Sequence, residues 1–152
     1  MRFAHVVPPE SGEPRLALVD GDEVAIVEEL FDGAPRVLEE LIAGGDELLA
    51  RVRDAADRGT RHPIEGLGFA SAVLAPPVIL AIGLNYAAHS SELGLKTDST
   101  PTVFVLWPNS LAGHDHTTIW PRSLSESVDY EAELGVIIGT PAKDVSPEDA
   151  LD

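Results

Sequence analysis

The uncharged stretch from residue 67 to residue 84, LGFASAVLAPPVILAIGL, constrains the fold more than any other part of this chain. Eighteen uncharged residues are long enough for a helix to cross a bilayer. However, Pro76 and Pro77 lie in the middle of the stretch, and two successive prolines break a helix. We therefore expect two buried segments that meet at the prolines, a boundary between residues 60 and 76, and a soluble, cytoplasmic protein.

The residues before this boundary predict a small domain of strands and helices. Three short apolar runs, RFAHV, RLALVD and EVAIVEE, are separated by turn-forming residues and predict three strands. DGDE, between the second and third runs, suits a tight hairpin. Helical spacing begins at Val37 and stops at Gly44, and Asp46 is placed to cap a second helix that Gly59 ends. Residues 1–70 are thus predicted to form a small α+β domain.

The residues after the boundary predict a second unit. VILAIGL is apolar throughout, as expected of a strand buried on both faces, and TVFVLW, TTIW and YEAELGVIIG are further strand candidates. SPEDALD predicts the start of a helix, with Ser146 as its N-cap and Pro147 at its first position. Because the sequence stops inside that first turn, we expect residues 71–152 to be the first part of a longer domain.

Charge and cysteine content exclude several classes of function. The chain has 26 acidic and 10 basic residues, a formal net charge of −16, and no cysteine. Such a surface repels phosphate backbones and anionic lipid head groups, so nucleic-acid and membrane binding are not expected. The lack of cysteine rules out disulfides, thiolate metal ligands and a cysteine nucleophile.

Alternating carboxylates make VDYEAELGVIIG the most informative stretch for chemistry. In a strand, Asp129, Glu131 and Glu133 would share one face, and two such carboxylates can aim oxygen ligands at one Mg²⁺ ion. The alternative is a half-exposed strand with a solvated acidic face, which an acidic chain would often show. Two carboxylates also leave a metal shell incomplete.

A second candidate pair lies just after the uncharged stretch, in NYAAHSSELG. The i, i+3 spacing puts His89 and Glu92 on one face of a helix. A carboxylate beside an imidazole fixes its tautomer and raises its basicity, which prepares a histidine to act as a general base. The alternative is an exposed helix start whose histidine and glutamate are incidental.

Taken together, three segments occur in an order and at a spacing typical of one family: AIGLNYAAHSSELG, PTVFVLWPNSLAG and TIWPRSLSESVDYEAELGVIIGTPAKDVSPEDALD. From about Pro76 to Asp152 the chain resembles the fumarylacetoacetate hydrolase family. The likeness includes G-x-N-Y-x-x-H-x-x-E, P-x-x-F, D-Y-E-x-E-L and E-D-A-L. Residues 1–70 resemble the small, variable N-terminal domain that many members carry.

This resemblance implies an α+β fold in which a mixed β-roll, here truncated, follows the N-terminal domain. It implies a Mg²⁺ or Mn²⁺ site with Glu131 and Glu133 as ligands, His89 moving a proton and Glu92 orienting it. It also implies a small oxo-acid substrate, meaning a 2-oxo or enol carboxylate that is hydrolysed, decarboxylated or isomerised, and a homodimer in the full-length form.

Two departures from the family pattern leave two hypotheses open. The family's third metal ligand is an aspartate that falls downstream of Asp152, and Leu106 stands where most relatives have a lysine near the site. Under the first hypothesis the sequence comes from a metal-dependent enzyme, inactive as this fragment. Under the second it is a degenerate, non-catalytic domain whose role is association with another chain.

Overall fold

An antiparallel sheet of five strands dominates the first part of the computed structural model, which describes residues 1–92, 94 and 100–151. Its strands are β1 (Arg2–Val7), β2 (Arg15–Asp20), β3 (Glu23–Ile26), β4 (His62–Pro63) and β5 (Gly68–Phe69). They lie in the order β4-β3-β2-β1-β5. The three predicted N-terminal strands are confirmed, whereas the two short edge strands fall in the segment expected to contain the boundary between the two units.

The predicted hairpin joins β2 to β3, where Asp20 pairs with Glu23 across a two-residue turn. Gly21, the first turn residue, has φ +58°, a left-handed conformation that glycine adopts without a steric penalty. Two helices follow, α1 (Leu38–Ala43) and α2 (Gly45–Ala56). Asp46 lies in the first turn of α2 and does not cap it, because the N-cap position is Gly44.

The hydrophobic core of the described residues covers both faces of this sheet, with the two helices packed on one face and residues 64–69 packed on the other. Every fully buried apolar side chain belongs to the segment from Val6 to Ala56. Leu16 of the sheet packs with Leu41 of α1 and Val52 of α2 in one of its clusters. The N-terminal part therefore buries a core of its own.

Polar contacts fix the segment that leaves this sheet. His5 is 1% exposed, and its two ring nitrogens bond to the Ser71 carbonyl at 3.2 Å and the Leu38 amide at 3.4 Å. The imidazole must therefore donate from Nδ1 and accept at Nε2, which requires its neutral form. Glu39 Oε1 accepts hydrogen bonds from the amides of Leu74 and Ala75 at 3.2 and 3.4 Å. These contacts hold residues 71–75 against the start of α1.

Beyond the prolines the chain forms a small hairpin and a short helix. The elements are β6 (Ile79–Gly83), α3 (Ala87–Glu92) and β7 (Thr102–Leu106), and β6 pairs antiparallel with β7. Both strands are confirmed, but the prediction that VILAIGL is buried on both faces is wrong. Leu80 is 58% exposed because, among the described residues, no second layer covers the hairpin. Apart from Met1, every exposed large apolar side chain in the described ranges lies at or beyond Val78.

The chain from residue 107 to residue 151 has little regular structure. One turn of 3₁₀ helix covers Pro108–Ser110, and the strands predicted for TTIW and YEAELGVIIG are wrong. The described residues offer that segment no partner strand, and an unpaired strand cannot satisfy its backbone groups. In SPEDALD the Ser146 hydroxyl does accept the Asp149 amide at 3.3 Å, but residues 147–151 form turns in place of the expected helix.

The α+β class expected from the sequence is confirmed by this mixture of helices and strands. All strand pairs in the described ranges are antiparallel. None of the helices described here is long and apolar enough to cross a membrane.

The confinement of the core to the N-terminal part predicts a contrast between two leucine truncations. Leu16→Ala removes a side chain that is 2% exposed and should lower the free energy of unfolding by about 2–5 kcal/mol. Leu80→Ala, the matched control in β6, should stay within about 0.5 kcal/mol of the parent chain. Urea unfolding followed by circular dichroism measures both, and equal losses would contradict this assignment of the core.

Candidate functional site

A cavity of about 530 Å³ lies between α3 and the segment that follows Val128. Two stretches far apart in sequence line it, one at residues 86–92, which include α3, and the other at residues 129–133. Its lining residues are Tyr86, His89, Glu92, Asp129, Tyr130, Glu131, Ala132 and Glu133. The structure thus brings all four sequence-predicted site residues, His89, Glu92, Glu131 and Glu133, to one cavity.

The position of α3 depends on a tight turn after β6. Leu84 has φ +56°, a left-handed conformation that costs a non-glycine residue about 1–2 kcal/mol. Ser90, which is 2% exposed, donates its hydroxyl to the Leu84 carbonyl at 3.1 Å. This bond ties the middle of α3 to the strained turn, and the neighbouring His89 side chain lines the cavity.

The segment that carries the carboxylates is extended loop, and the strand alternation expected for it is wrong. Asp129, Tyr130, Glu131, Ala132 and Glu133 follow one another, and all five line the cavity. In a strand they would alternate between two faces. Glu131 and Glu133 therefore share a cavity because the whole segment borders it.

One hydrogen bond described in the structure joins the two walls of the cavity. The Leu134 amide donates to the Tyr86 hydroxyl oxygen at 2.9 Å, across 48 residues of sequence. Tyr86 itself lies immediately before α3, and its carbonyl accepts the Ser90 amide at 3.1 Å. The phenol is thus anchored to the helix that carries His89.

The charge on the cavity wall is strongly negative. Glu92, Asp129, Glu131 and Glu133 are carboxylic acids, and neither lysine nor arginine is among the described lining residues. None of these four carboxylates takes part in an ion pair with another described residue. Bringing like charges together is unfavourable unless a cation compensates them.

The donor chemistry of this wall fits a hard divalent cation, since carboxylate oxygens are the ligands that Mg²⁺ and Mn²⁺ favour. The arrangement is open, however. Across the part of the chain that is described, no three histidine, aspartate or glutamate side chains converge closely enough to hold a metal ion. The described side chains therefore do not by themselves form a complete coordination shell.

The structure also gives the positions of the His89–Glu92 pair, of Leu106 and of His114. No hydrogen bond or ion pair joins His89 to Glu92 among the described contacts, although both line the cavity. Leu106 ends β7 opposite Ile79, is exposed, and lies outside the cavity lining. His114 packs its ring against Phe69 and does not join a metal cluster in the described residues.

Four lining residues were not selected as site candidates from the sequence: Tyr86, Asp129, Tyr130 and Ala132. Asp129 lies two residues before Glu131, as Glu131 lies two residues before Glu133, so the same spacing could have identified Asp129 as a candidate. Tyr86 lies within the same short stretch as His89, but its contact is to a backbone amide, which no sequence pattern marks.

Comparison with known proteins gives the family. Residues 78–152 match the family model described as fumarylacetoacetate (FAA) hydrolase C-terminal. The chain belongs to the fumarylacetoacetate hydrolase family. The matched range contains every residue of the cavity wall, and the resemblance drawn from the motifs is confirmed.

The relatives within this family are named as enzymes. The chain is 47% identical over 74 residues to a homoprotocatechuate catabolism bifunctional isomerase/decarboxylase of Escherichia coli, covering 49% of this chain and 17% of that protein. It is 29% identical over 154 residues to a mitochondrial oxaloacetate tautomerase of Rattus norvegicus, covering 99% and 49%. The chain thus spans at most about half the length of these two relatives.

A solved structure also shares the fold. The maleylpyruvate hydrolase of Sphingobium sp. SYK-6, in complex with manganese(II) ion and pyruvate, superposes with a TM-score of 0.50 at 24% identity. The superposition covers 69% of this chain and 36% of that one. At 24% identity, this likeness shows that the two proteins share a fold, and it carries no conclusion about a shared activity.

Proposed function

We propose that this chain carries part of the active site of a divalent-metal-dependent enzyme acting on 2-oxo or enol carboxylates. The observation that carries the proposal is the cavity in which His89, Glu92, Glu131 and Glu133 meet. The relatives support the substrate class, because an isomerase/decarboxylase, an oxaloacetate tautomerase and a maleylpyruvate hydrolase all match. The proposal includes the family's mixed β-roll, with β6 and β7 as one hairpin of it.

Glu131 and Glu133 are proposed to hold Mg²⁺ or Mn²⁺. The manganese ion in the maleylpyruvate hydrolase structure supports a divalent metal, and the unbalanced negative charge of this cavity supports the same conclusion. When bound, such an ion acts as a Lewis acid that stabilises negative charge on a substrate oxygen. Asp129 lines the same wall and adds to the negative potential that draws a cation in.

His89 is proposed to move the proton. Its imidazole lies on the opposite wall from the carboxylate segment, so a substrate bound between the walls would present its reacting carbon or an attacking water to it. Histidine is the usual general acid or base in enzymes, because the ordinary pKa of an imidazole lies close to neutral pH. Glu92, one turn further along α3, is proposed to orient that ring.

The proposal covers three types of reaction because their chemistry is similar. Hydrolysis, decarboxylation and isomerisation of an acylpyruvate-like compound all develop negative charge on an oxo oxygen, because each leaves an electron pair on the carbon next to that oxo group. The same carboxylates and histidine serve each of them. Since the described residues offer an open coordination shell, we expect the chain by itself to have no useful activity, and we expect a homodimer in the full-length form.

Manganese binding tests the metal site directly, because the paramagnetic ion broadens the amide signals of nearby residues. We expect broadening to be strongest at residues 129–133 and 89–92. The double variant Glu131→Gln, Glu133→Gln keeps the side-chain volume and should abolish it. Glu126→Gln, which lies outside this cavity, is the control. Broadening spread evenly over the acidic surface, or surviving the double variant, would contradict the proposal.

Replacement of the histidine tests the proton-transfer role. In the full-length, metal-loaded protein, His89→Ala should lower kcat by about 10²–10⁴-fold, the usual contribution of general acid–base catalysis. His116→Ala, at an exposed loop histidine outside the cavity, should leave kcat unchanged. The manganese broadening pattern should persist in both variants. An unaltered kcat in His89→Ala would show that another group moves the proton.

A second candidate function, association with another chain, is favoured by the exposed apolar surface. Both strands of the β6–β7 hairpin present apolar side chains to solvent, and the ladder described for it contains only these two strands. Open strand edges and exposed apolar patches are the features of surfaces that bind other chains. The hairpin would then serve as a structural module, whether or not the site is active.

Sedimentation velocity over a range of concentrations tests this candidate. The parent chain should form oligomers, and the double variant Val103→Thr, Val105→Thr should shift it towards the monomer, since threonine keeps the β-branched shape but adds a hydroxyl. Val145→Thr, an exposed valine outside the hairpin, is the matched control. A parent chain that is monomeric at every concentration would rule this function out.

A further inference from the structure

We propose that Tyr86 is a positioning residue, which holds the Glu131–Glu133 segment opposite His89 through its hydroxyl group. The inference rests on the proposed function for the identity of the site, and it adds the contact that keeps the two walls together. The observation is the 2.9 Å hydrogen bond from the Leu134 amide to the Tyr86 hydroxyl oxygen.

The tyrosine end of this contact is well anchored. Tyr86 accepts the Ser90 amide through its carbonyl at 3.1 Å, and Ser90 in turn donates its hydroxyl to Leu84 at 3.1 Å. Ser90 is almost fully buried, so the first turn of α3 is fixed to the end of β6. A phenol on this turn therefore has a defined position relative to His89, three residues further on.

The other end of the contact has little else to hold it. Leu134 is 82% exposed, and every residue from 131 to 139 is exposed. A side chain at Gly135 would meet no atom within 4 Å. Burial of side chains therefore contributes little to the position of the carboxylate segment, and among the hydrogen bonds described for residues 129–134 the one to Tyr86 reaches a distant part of the chain.

The chemistry of the contact requires a hydroxyl group. The backbone amide needs an acceptor, and the phenol oxygen supplies one without adding negative charge to a wall that already carries four carboxylates. The hydroxyl keeps its own proton free for donation, and accepting a hydrogen bond makes a hydroxyl a stronger donor. Phenylalanine would preserve the ring and its packing but would lose the acceptor.

The chain offers a matched pair of variants for the test. Tyr86→Phe removes the acceptor, and Tyr130→Phe removes the hydroxyl of the other tyrosine in the cavity wall. The Tyr130 hydroxyl makes no hydrogen bond to a described residue, and its side chain is 87% exposed. Both variants lose one oxygen atom from the same cavity, so only the contact to Leu134 distinguishes them.

The first measurement needs no metal. Amide hydrogen exchange at Leu134, followed by NMR on the full chain, should be about two- to tenfold faster in Tyr86→Phe than in the parent chain, the range expected for one lost hydrogen bond. It should be unchanged in Tyr130→Phe. Equal exchange in the parent chain and Tyr86→Phe would show that the bond does not restrain the segment, and would overturn the inference.

The second measurement reads the effect on the site. Manganese titrated into the same three proteins should bind about two- to tenfold more weakly to Tyr86→Phe than to the parent chain, and equally to Tyr130→Phe. Faster Leu134 exchange with unchanged manganese affinity would overturn the positioning role while leaving the metal site standing. A parent chain that binds no manganese at residues 129–133 would instead refute the proposed function, and the role of Tyr86 with it.

Discussion

Burial of apolar side chains on both faces of the N-terminal sheet, one covered by helices α1 and α2 and the other by residues 64–69, is the interaction on which the rest of the described structure depends. Among the described residues, every fully buried apolar side chain lies in the segment from Val6 to Ala56, and the hairpin beyond the prolines contributes none. The second part of the chain therefore depends on contacts with the N-terminal part for its position. Its first residues are held by hydrogen bonds to His5 and Glu39, which lie on or next to the core.

This arrangement places the candidate site at the less restrained end of the molecule. The cavity wall from α3 rests on a strained turn and one buried serine, and the opposite wall is exposed loop. Low packing density is common where a protein must admit a ligand. It also explains why four carboxylates can share a cavity: water still screens them, and a cation can enter between them.

Much of the fold could be predicted from the sequence where the signal is local. The strands β1, β2 and β3 are marked by apolar runs between turn residues, and the two-residue turn at Gly21 has the residue type that its backbone needs. The candidate site residues were selected because ordered motifs identified the family, and the structure places all four of them at one cavity although their predicted strand is absent from the described residues. The same motifs did not identify Tyr86 as a contact, since its partner is a backbone amide 48 residues away.

Two of the structural predictions that were wrong share one physical cause. Burial of VILAIGL and strand pairing of YEAELGVIIG depend on neighbours supplied by other segments, and a sequence pattern reports only what a segment is able to do. In the described residues those neighbours are absent, so Leu80 is exposed and residues 129–133 form a loop. The proposed assignment of Glu131 and Glu133 to one metal stands on the cavity and the family, and no longer on strand alternation.

The hydrogen bonds from His5 and Glu39 to residues 71–75 have a consequence for how the protein is made. Strands β1, β2 and β3 are joined by short connections, and such local pairing forms quickly. Once residue 75 has left the ribosome, the sheet, both helices and their contacts to this segment are all available. The hairpin that follows would then emerge next to a folded surface, so its exposed apolar residues would meet a structured neighbour before they meet other unfolded chains.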